Sequence, residues 1–452
     1  MSVYAIIGSG AAGLAAANAI RARDPAGQIL ILTDDPHGHY SRPGLAYVLS
    51  GELPEKQVAQ FPREVFARQK FQFVQSAVQA VRPAEHALRL LDGRALRYDR
   101  LLIATGAAAA MPETPGIGLD GVVKLDSMGD CQHILRLARR ARRAVVVGGG
   151  ITAIELVEGL AARGVEVHYF LRGERYWSAV LDEVESRIVE RRLVHDDVKI
   201  HYHTNLVEVQ GQKGRVTAVQ AEENGRPVTL PCQMVAFAIG IQPRMELAVQ
   251  AGLETQRGII VDDHLRTSAP DVFAAGDVAQ VFDAQSGQYL LDSLWTPAIQ
   301  QGRAAGANMA GGDVIYENKF PFNVTRLAGL GTTLIGRVGK GEKAPGGRPR
   351  GDADVAGIMR GDSEEWRLAP EAVVAQTYAG DNRLRLYLKD NFMVGAVVMG
   401  DQALSRPIQV FIQQQVDLGQ LRGRLLAENA DVVKLLGDFW EGYRVKHAAK
   451  IP

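Results

Sequence analysis

Residues 3–33 read VYAIIGSGAAGLAAANAIRARDPAGQILILT, and residues 143–171 read RAVVVGGGITAIELVEGLAARGVEVHYFL. In both stretches a short apolar strand runs into a glycine-rich turn, and a helix and a second apolar strand follow. Each stretch is therefore predicted to form a βαβ unit. Two such units, 140 positions apart, predict an α/β chain with two doubly wound, Rossmann-like dinucleotide-binding domains.

The glycine-rich turns are typical of pyrophosphate binding. The first glycine makes the turn, the second lets the backbone approach phosphate, and the third position lets helix and strand pack. The free N–H groups and the helix dipole then face the anion. A third match to the pattern, at residues 116–121, follows Pro112 and Pro115 and precedes no helical pattern, so it is discarded.

The residue that follows the second strand of each unit indicates which nucleotide binds there. In the first unit Asp34 and Asp35 stand where an acid bonds a ribose hydroxyl. The second unit lacks such an acid and has Arg172 and Arg175, which can pair with a 2′-phosphate. This favours NADPH over NADH, and Glu174 between the two arginines keeps NADH open.

Composition narrows the class of protein. A chain of 452 residues corresponds to about three domains, and equal numbers of basic and acidic residues (51 each) do not favour nucleic acid as a partner. Two cysteines exclude a disulfide framework and a cysteine-rich metal site. The chain shows no leader pattern and no uninterrupted run of 18 apolar residues, so we expect a cytoplasmic protein without a membrane span.

Further motifs resemble the FAD-dependent pyridine nucleotide-disulfide oxidoreductase superfamily. Residues 267–277 (TSAPDVFAAGD) are similar to its second FAD motif, in which Asp277 would bond the ribityl chain of the flavin. Residues 102–106 (LIATG) resemble the turn that ends the first FAD segment, and residues 240–243 (GIQP) resemble the turn that ends the nicotinamide domain. The resemblance implies an FAD domain (1–110 and 246–318), an NAD(P)H domain (111–245) and a C-terminal α+β domain (319–452).

A narrower resemblance is to rubredoxin reductases and nitrite reductase flavoproteins. It rests on residues 40–45 (YSRPGL), on residues 294–303 (LWTPAIQQGR) and, more loosely, on residues 383–422. Tyr47 stands where rubredoxin reductases have a lysine near flavin N5. The segment that starts at Pro43 is similar to that of coenzyme A disulfide reductases, but their reactive cysteine is replaced here by proline.

The resemblance implies an NAD(P)H:acceptor oxidoreductase in which hydride passes from NADPH or NADH to FAD and electrons then pass to an acceptor. The acceptor would be a small iron–sulfur protein such as rubredoxin or ferredoxin. Two alternatives stay open: a coenzyme A disulfide or polysulfide reductase or NAD(P)H oxidase, and a non-catalytic flavoprotein subunit or redox-responsive scaffold. A homodimer or a larger redox complex is compatible with all three.

Glu155, one turn into the second helix, matches the family's glutamate at the nicotinamide and flavin edge, where it can accept from the carboxamide. The predicted catalytic residues are Glu155, Tyr47 and Trp295. The predicted cofactor-binding residues are Gly8, Gly10, Ala11, Ala12, Gly13, Asp34, Asp35, Arg42, Pro43, Thr105, Gly106, Gly276, Asp277, Trp295, Thr296, Gly148, Gly150, Ile151, Thr152, Glu155, Arg172, Arg175 and Gly240.

The remaining metal-ligating residue types give no site. The histidine pairs at 37/39 and 201/203 lack a third ligand, so we expect surface histidines and no metal. Cys131 lies in a helical pattern and Cys232 in an apolar strand pattern, so both are predicted to be small buried side chains.

Overall fold

The computed structural model describes residues 1–59, 63–283, 287–317, 321–338, 372–427 and 430–447. Residues 341–351, whose glycine-, proline- and arginine-rich sequence predicts a loop, lie outside these residues. The helices are α1 Ala11–Arg23, α2 Gly44–Ser50, α3 Glu55–Val58, α4 Arg63–Arg68, α5 Met128–Ala138, α6 Ile151–Ala161, α7 Glu183–His195, α8 Glu246–Gln250, α9 Trp295–Met309, α10 Ser405–Gln413, α11 Gly419–Leu425 and α12 Val432–Lys446.

The strands alternate with these helices through the first two thirds of the chain. They are β1 Val3–Ile7, β2 Gln28–Thr33, β3 Phe71–Gln75, β4 Val78–Arg82, β5 Ala87–Leu90, β6 Ala95–Arg97, β7 Arg100–Ile103, β8 Ala107–Ala109, β9 Val122–Lys124, β10 Arg143–Val147, β11 Glu166–Phe170, β12 Lys199–His201, β13 Thr204–Gln212, β14 Arg215–Glu223, β15 Arg226–Pro231, β16 Met234–Phe237, β17 Ile241–Pro243, β18 Ile259–Val261, β19 Val272–Ala274, β20 Ala279–Asp283, β21 Gln288–Leu291, β22 Phe322–Leu327, β23 Leu330–Gly336, β24 Val373–Ala379, β25 Asn382–Lys389 and β26 Phe392–Met399.

The first βαβ unit lies at the centre of a parallel sheet with strand order β19-β7-β1-β2-β3. The strands are apolar and buried, as expected for a parallel sheet covered on both faces. Helix α1 packs closely on α9, because glycines replace larger residues where the helices meet. A Cβ added to Gly302 would lie 2.2 Å from the Ala12 carbonyl oxygen, and one added to Gly306 would lie 2.4 Å from that of Ala16.

The second βαβ unit forms a second parallel sheet, with strand order β12-β11-β10-β16-β9. An antiparallel sheet, β13-β14-β15, continues from it. Its apolar side chains and those of β10 and β16 form one core.

The C-terminal part forms an antiparallel sheet with order β22-β23-β26-β25-β24, and helices α10, α11 and α12 pack against it. Two buried arginines of β25 fix this sheet to helix α7. Arg385 bonds both carboxylate oxygens of Glu185 at 2.9 and 2.8 Å, and Arg383 bonds Asp182 at 2.8 Å. The predicted fold class, two doubly wound parallel sheets and a C-terminal α+β layer, is confirmed.

Several predicted boundaries were wrong. Apolar and polar residues alternate over residues 72–81, which predicts one strand, but the structure divides them between β3 and β4, which belong to different sheets. The alternation over residues 200–209 also predicts one strand, and it is interrupted at His203, whose φ of 49° is incompatible with extended backbone. Cys232 lies in the connection between β15 and β16 rather than in a strand.

No helix within the described ranges combines the length and the hydropathy that crossing a bilayer requires.

Candidate active site

Four of the predicted FAD segments meet at the carboxyl edge of the first sheet. Gly8 follows β1, Asp34 follows β2, Thr105 comes after β7, and Asp277 comes after β19. Because all the strands are parallel, their carboxyl ends share one edge. β1 lies between β2 and β7, so the strand order changes direction at β1 and leaves a crevice at that edge. A crevice at such a switch point is the usual ligand site of an open α/β sheet.

The first glycine-rich turn fits a pyrophosphate, because its three glycines have different surroundings. Gly8 has φ +115°, and a Cβ on it would lie 2.1 Å from the Ala104 carbonyl oxygen. A Cβ on Gly13 would lie 2.0 Å from the Gly8 carbonyl oxygen. A Cβ on Gly10 would meet nothing within 4 Å, although Gly10 directly precedes α1. The protein itself requires Gly8 and Gly13, whereas Gly10 leaves backbone accessible to a ligand at the start of α1, beside the predicted contacts Ala11 and Ala12.

The two predicted ribose acids have different environments. The Asp35 carboxylate accepts hydrogen bonds from the Tyr40 hydroxyl at 2.7 Å and from the His37 backbone N–H at 2.9 Å. The Tyr40 hydroxyl in turn accepts from the Met128 N–H at 3.1 Å. Asp34 is exposed. Asp34 is thus the acid better placed to reach a ligand, and Asp35 organises the segment that leads to Arg42.

Arg42 is held by a carboxylate that follows β9, an edge strand of the second parallel sheet. Its guanidinium lies 3.2 Å from Asp126, whose side chain is 7% exposed and also accepts from Arg244 at 2.8 Å. Burial raises the pKa of Asp126, but Arg42, Arg244 and Lys124 outweigh it, so the pKa stays below its usual range. Burial raises the pKa of Asp277, which Arg42 partly opposes. Ion pairs join Arg42, Asp126 and Arg244, and the charges of Arg42 and Asp277 influence each other, beside Pro43 at the start of α2.

The first residues of α9 lie beside the predicted FAD segments that contain Gly276 and His39. Gly276, with φ +80°, donates its N–H to the Gln301 side chain at 2.8 Å. Trp295 is the first residue of α9, and its ring centroid lies 6.3 Å from that of His39; the neighbouring Thr296 is exposed.

His39 is not the surface histidine predicted from the sequence, because it is only 3% exposed. Its Nδ1 lies 2.7 Å from the carbonyl oxygen of Ser9, inside the glycine-rich turn. Burial lowers the pKa of His39, and the Ser9 contact partly opposes that shift. The alternation of the 37/39 pair could not reveal this, since its burial depends on the packing of α9.

The second glycine-rich turn has the same arrangement as the first, except that Ala153 stands where the first turn has Gly13. Gly148 has φ +152°, and a Cβ on it would lie 2.1 Å from the Ala238 carbonyl oxygen. A Cβ on Gly149 would meet nothing within 4 Å, and Gly150 directly precedes α6 in extended conformation. The predicted Ile151 and Thr152 begin α6, half-buried and exposed respectively.

The turns after β7 and β16 connect the two units. The Thr105 hydroxyl donates to the Arg244 carbonyl at 2.8 Å, and the Gly106 carbonyl accepts from the Arg244 N–H at 2.9 Å. The Gly240 carbonyl accepts from the Ala110 N–H at 2.9 Å. These predicted residues therefore lie where the chain crosses between the sheets.

The predicted 2′-phosphate arginines follow β11 but differ in orientation. Arg172 is exposed. The side chain of Arg175 is 12% exposed and bonds Glu174 at 3.1 Å and the Ser178 carbonyl at 3.3 Å. Arg172 is thus the better placed of the two to meet a ligand.

Tyr47 and Glu155 meet in a cleft between α2, α6 and β22. Its lining is Ala46, Tyr47, Ser50, Glu155, Glu158 and Arg326. Burial, and then the neighbouring carboxylate of Glu158, raise the pKa of Glu155 to about 8. Arg326 lies over the Tyr47 ring at 5.2 Å and forms a bidentate pair with Glu52. Trp295, the third predicted catalytic residue, does not line this cleft and lies beside His39 instead.

Sequence reasoning missed two residues of this cleft. Glu158 is three positions after Glu155 and so shares its helix face, a signal that helical spacing could have supplied. Arg326 comes from β22, and no local pattern connects it with α6.

The two cysteines are not reactive thiols in this structure. Both are buried, as predicted. Burial raises the pKa of Cys131 to about 11 and that of Cys232 to about 12, so both thiols stay protonated near neutral pH.

Comparisons with known proteins agree with this arrangement. The model of the pyridine nucleotide-disulphide oxidoreductase family matches residues 2–302. The chain is 31% identical to the epsilon subunit of NADH-dependent phenylglyoxylate dehydrogenase from Aromatoleum evansii, over 74% of this chain and 79% of that one. It is 32% identical to the ferredoxin–NAD(+) reductase component of the biphenyl dioxygenase system from Paraburkholderia xenovorans, over 74% and 81%.

The fold of this chain is also similar to the folds of solved protein structures. The ferredoxin reductase for the CYP199A2 system from Rhodopseudomonas palustris superposes with a TM-score of 0.80 at 23% identity, covering 96% of this chain and 99% of that one.

Proposed function

Because this chain belongs to the pyridine nucleotide-disulphide oxidoreductase family, we propose that it is an FAD-dependent NAD(P)H reductase of a small one-electron redox protein. Residues 1–110 and 246–318 bind FAD, residues 111–245 bind the nicotinamide nucleotide, and residues 319–452 form an interface or acceptor domain. FAD supplies the two-electron chemistry when it is bound.

In this proposal the protein's own residues bind and orient. The turn at Gly10 and the start of α1 hold the FAD pyrophosphate, and Arg42, which is paired with Asp126, is a further cofactor contact. The turn at Gly148–Gly150 and the start of α6 hold the nicotinamide nucleotide, with Arg172 at a 2′-phosphate. Glu155, whose pKa is raised to about 8 by burial and by Glu158, meets the nicotinamide carboxamide.

The observation that carries the proposal is the presence of two phosphate-type glycine-rich turns together with the lack of an accessible thiol among the described residues. Pro43 occupies the reactive position of the disulfide reductases, and both cysteines are buried and protonated. Reduction of a disulfide by thiol exchange would need an accessible thiolate. The overall reaction oxidises one NAD(P)H by two electrons, releases one proton and reduces two one-electron acceptor molecules.

An anaerobic titration of the FAD-loaded protein tests this function. We expect stoichiometric NADPH to bleach the flavin absorbance and added ferredoxin or rubredoxin to restore it. Failure of both NADPH and NADH to bleach the flavin would overturn the reductase assignment.

The predicted preference for NADPH over NADH is tested with a separate variant. Arg172→Leu should raise the KM for NADPH by about tenfold, the size of one lost charge-assisted hydrogen bond, and leave the KM for NADH unchanged. Arg175→Leu serves as the matched comparison, because that side chain turns inward. Equal effects of Arg172→Leu on both nucleotides would contradict the 2′-phosphate assignment.

A second function is an electron-transfer subunit of a larger dehydrogenase. The 31% identical relative, which is the epsilon subunit of such an enzyme, favours it. Co-purification with other subunits, and reduction of the flavin by their substrate rather than by free NADPH, would select this alternative.

A further inference from the structure

Tyr47 and Arg326 form a cation–π contact in the cleft between α2, α6 and β22. The Arg326 Cζ atom lies 5.2 Å from the centroid of the Tyr47 ring. Both carboxylate oxygens of Glu52 accept hydrogen bonds from the same guanidinium. A planar guanidinium can contact a ring and bind a carboxylate through two N–H groups at once, which an ammonium group cannot do. Arg326 is therefore anchored through Glu52 while it lies over the Tyr47 ring.

The backbone of α2 is fixed by the second unit. Leu49 of α2 belongs to the same hydrophobic core as Leu160 of α6. Arg163, which follows α6, donates to the Val48 and Leu49 carbonyls at 2.8 and 2.7 Å. Its guanidinium satisfies carbonyl groups at the C-terminus of α2, where a positive charge is also favourable. These contacts place the main chain of Tyr47 without the help of the C-terminal sheet.

The side chain of Tyr47 has fewer restraints than its main chain. The residue is half-buried. Within the described part of the chain its hydroxyl group makes no hydrogen bond, and no cation or aromatic ring other than Arg326 lies on its ring. The contact that distinguishes one rotamer of Tyr47 from another is therefore the one with Arg326.

The hairpin turn after β22 keeps Arg326 in the cleft. Ala328 and Gly329 have φ of 48° and 78°, as a two-residue turn with positive φ at both positions requires. Glu158 of α6 accepts from the Gly329 N–H at 2.9 Å, and Arg192 of α7 donates to the Ala328 carbonyl at 2.6 Å. The second unit thus binds the turn through an N–H and a C=O group, and the turn begins two residues after Arg326.

We propose that Arg326 is a positioning residue that holds the Tyr47 ring on the wall of the cleft that Glu155 also lines. The inference rests on the function proposed above, because it assumes that the nicotinamide reaches this cleft. A ring held in one rotamer presents one surface to the nicotinamide, whereas a released ring has the productive arrangement for only part of the time. The phosphate groups bind at the turn before α6, so nucleotide affinity should depend little on the ring.

A purely electrostatic role of Arg326 makes a different prediction. Burial raises the pKa of Glu155 and of Glu158, and the charge of Arg326 opposes both shifts. If this charge were the role of Arg326, its loss would have the same effect whether or not residue 47 carries a ring.

A double-mutant cycle separates the two roles in the FAD-loaded protein. The variants are Arg326→Leu, Tyr47→Leu and the double variant, and Arg326→Gln replaces Arg326→Leu if the leucine variant does not fold. The matched control is Val324→Thr, two positions earlier on β22 and 62% exposed. Anaerobic stopped-flow mixing with NADPH gives the limiting rate of flavin reduction and the nucleotide affinity separately.

The apoprotein supplies a second readout that does not depend on activity. The protein is labelled with fluorotyrosine, and its ¹⁹F resonances report the surroundings of each tyrosine ring. The resonance of Tyr47 is identified by its absence in Tyr47→Leu.

We expect Arg326→Leu to lower the limiting rate by about fivefold, the size of one partly buried cation–π contact, and to change NADPH affinity by less than about twofold. In the Tyr47→Leu background the same change should have no further effect. The Tyr47 resonance should shift in the Arg326→Leu apoprotein and should not shift in Val324→Thr.

An equal loss of rate with and without the Tyr47 ring, or an unchanged Tyr47 resonance in Arg326→Leu, would overturn the proposal. Failure of both NADPH and NADH to reduce the wild-type flavin would refute the proposed function instead. In that case the ¹⁹F resonance of the apoprotein still decides whether Arg326 holds the ring.

Discussion

The glycine-rich turn after β1 allows a test that separates folding from ligand binding. Gly10→Ala places a methyl group where nothing lies within 4 Å, at an ordinary φ of −75°. The apoprotein should therefore keep its stability to within about 1 kcal/mol, and alanine slightly favours the folded state by restricting the unfolded chain. A methyl group between backbone and pyrophosphate costs about 1–3 kcal/mol, as overpacking does elsewhere. FAD affinity should thus fall by about tenfold to a hundredfold.

Gly8→Ala is the matched contrast at the other end of the same turn. Its Cβ would lie 2.1 Å from the Ala104 carbonyl oxygen, at a φ of +115° that L residues rarely adopt. Backbone strain and overpacking together should cost about 2–6 kcal/mol of folding free energy before any ligand is added.

Urea unfolding of the apoproteins and quenching of FAD fluorescence on binding measure the two quantities independently. Gly10→Ala should change only the second, whereas Gly8→Ala should change the first. If Gly10→Ala folds normally and binds FAD with native affinity, the pyrophosphate does not lie at this turn and the reasoning about the site fails.

Two other predictions concern buried charge. Glu155→Gln should raise the melting temperature near pH 7–8 but not at pH 4.5. The reason is that the pKa of Glu155 is raised to about 8, so the wild-type protein loses stability as the pH rises from about 4.5 to that value. Equal melting temperatures of the two proteins at pH 8 would contradict the raised pKa. Arg385→Met should cost about 3–5 kcal/mol in urea unfolding, because it leaves Glu185 buried without its bidentate partner. The double variant Arg385→Met/Glu185→Leu should recover most of that loss, and an equally unstable double variant would show that the ion pair is not its cause.

The phosphate turns could be located from the sequence because each is a local pattern. A strand, a turn and a helix that follow one another within about 30 residues have a fixed relation in space, so the amino-acid pattern was enough to assign Gly8 and Gly148 their positions. The same reasoning failed at strand ends such as His203, where a single residue with positive φ interrupts an otherwise regular alternation.

The side chains that surround Glu155 and Arg42 could not be predicted from local sequence patterns. Arg326 reaches the cleft from the C-terminal sheet, 171 positions along the chain from Glu155, and Asp126 reaches Arg42 from the end of β9 in the second sheet. Pairing across such distances depends on how the domains pack, which no periodicity in the sequence records.

The order of residues along the chain was sufficient to identify the two βαβ units, their glycine-rich turns, and the lack of a cysteine at position 43. Three features emerged only from the folded arrangement: Glu155 shares its cleft with Arg326, His39 is buried, and Asp126 holds Arg42. The reason is physical: turn geometry is set by neighbours in the chain, whereas burial and charge balance are set by neighbours in space.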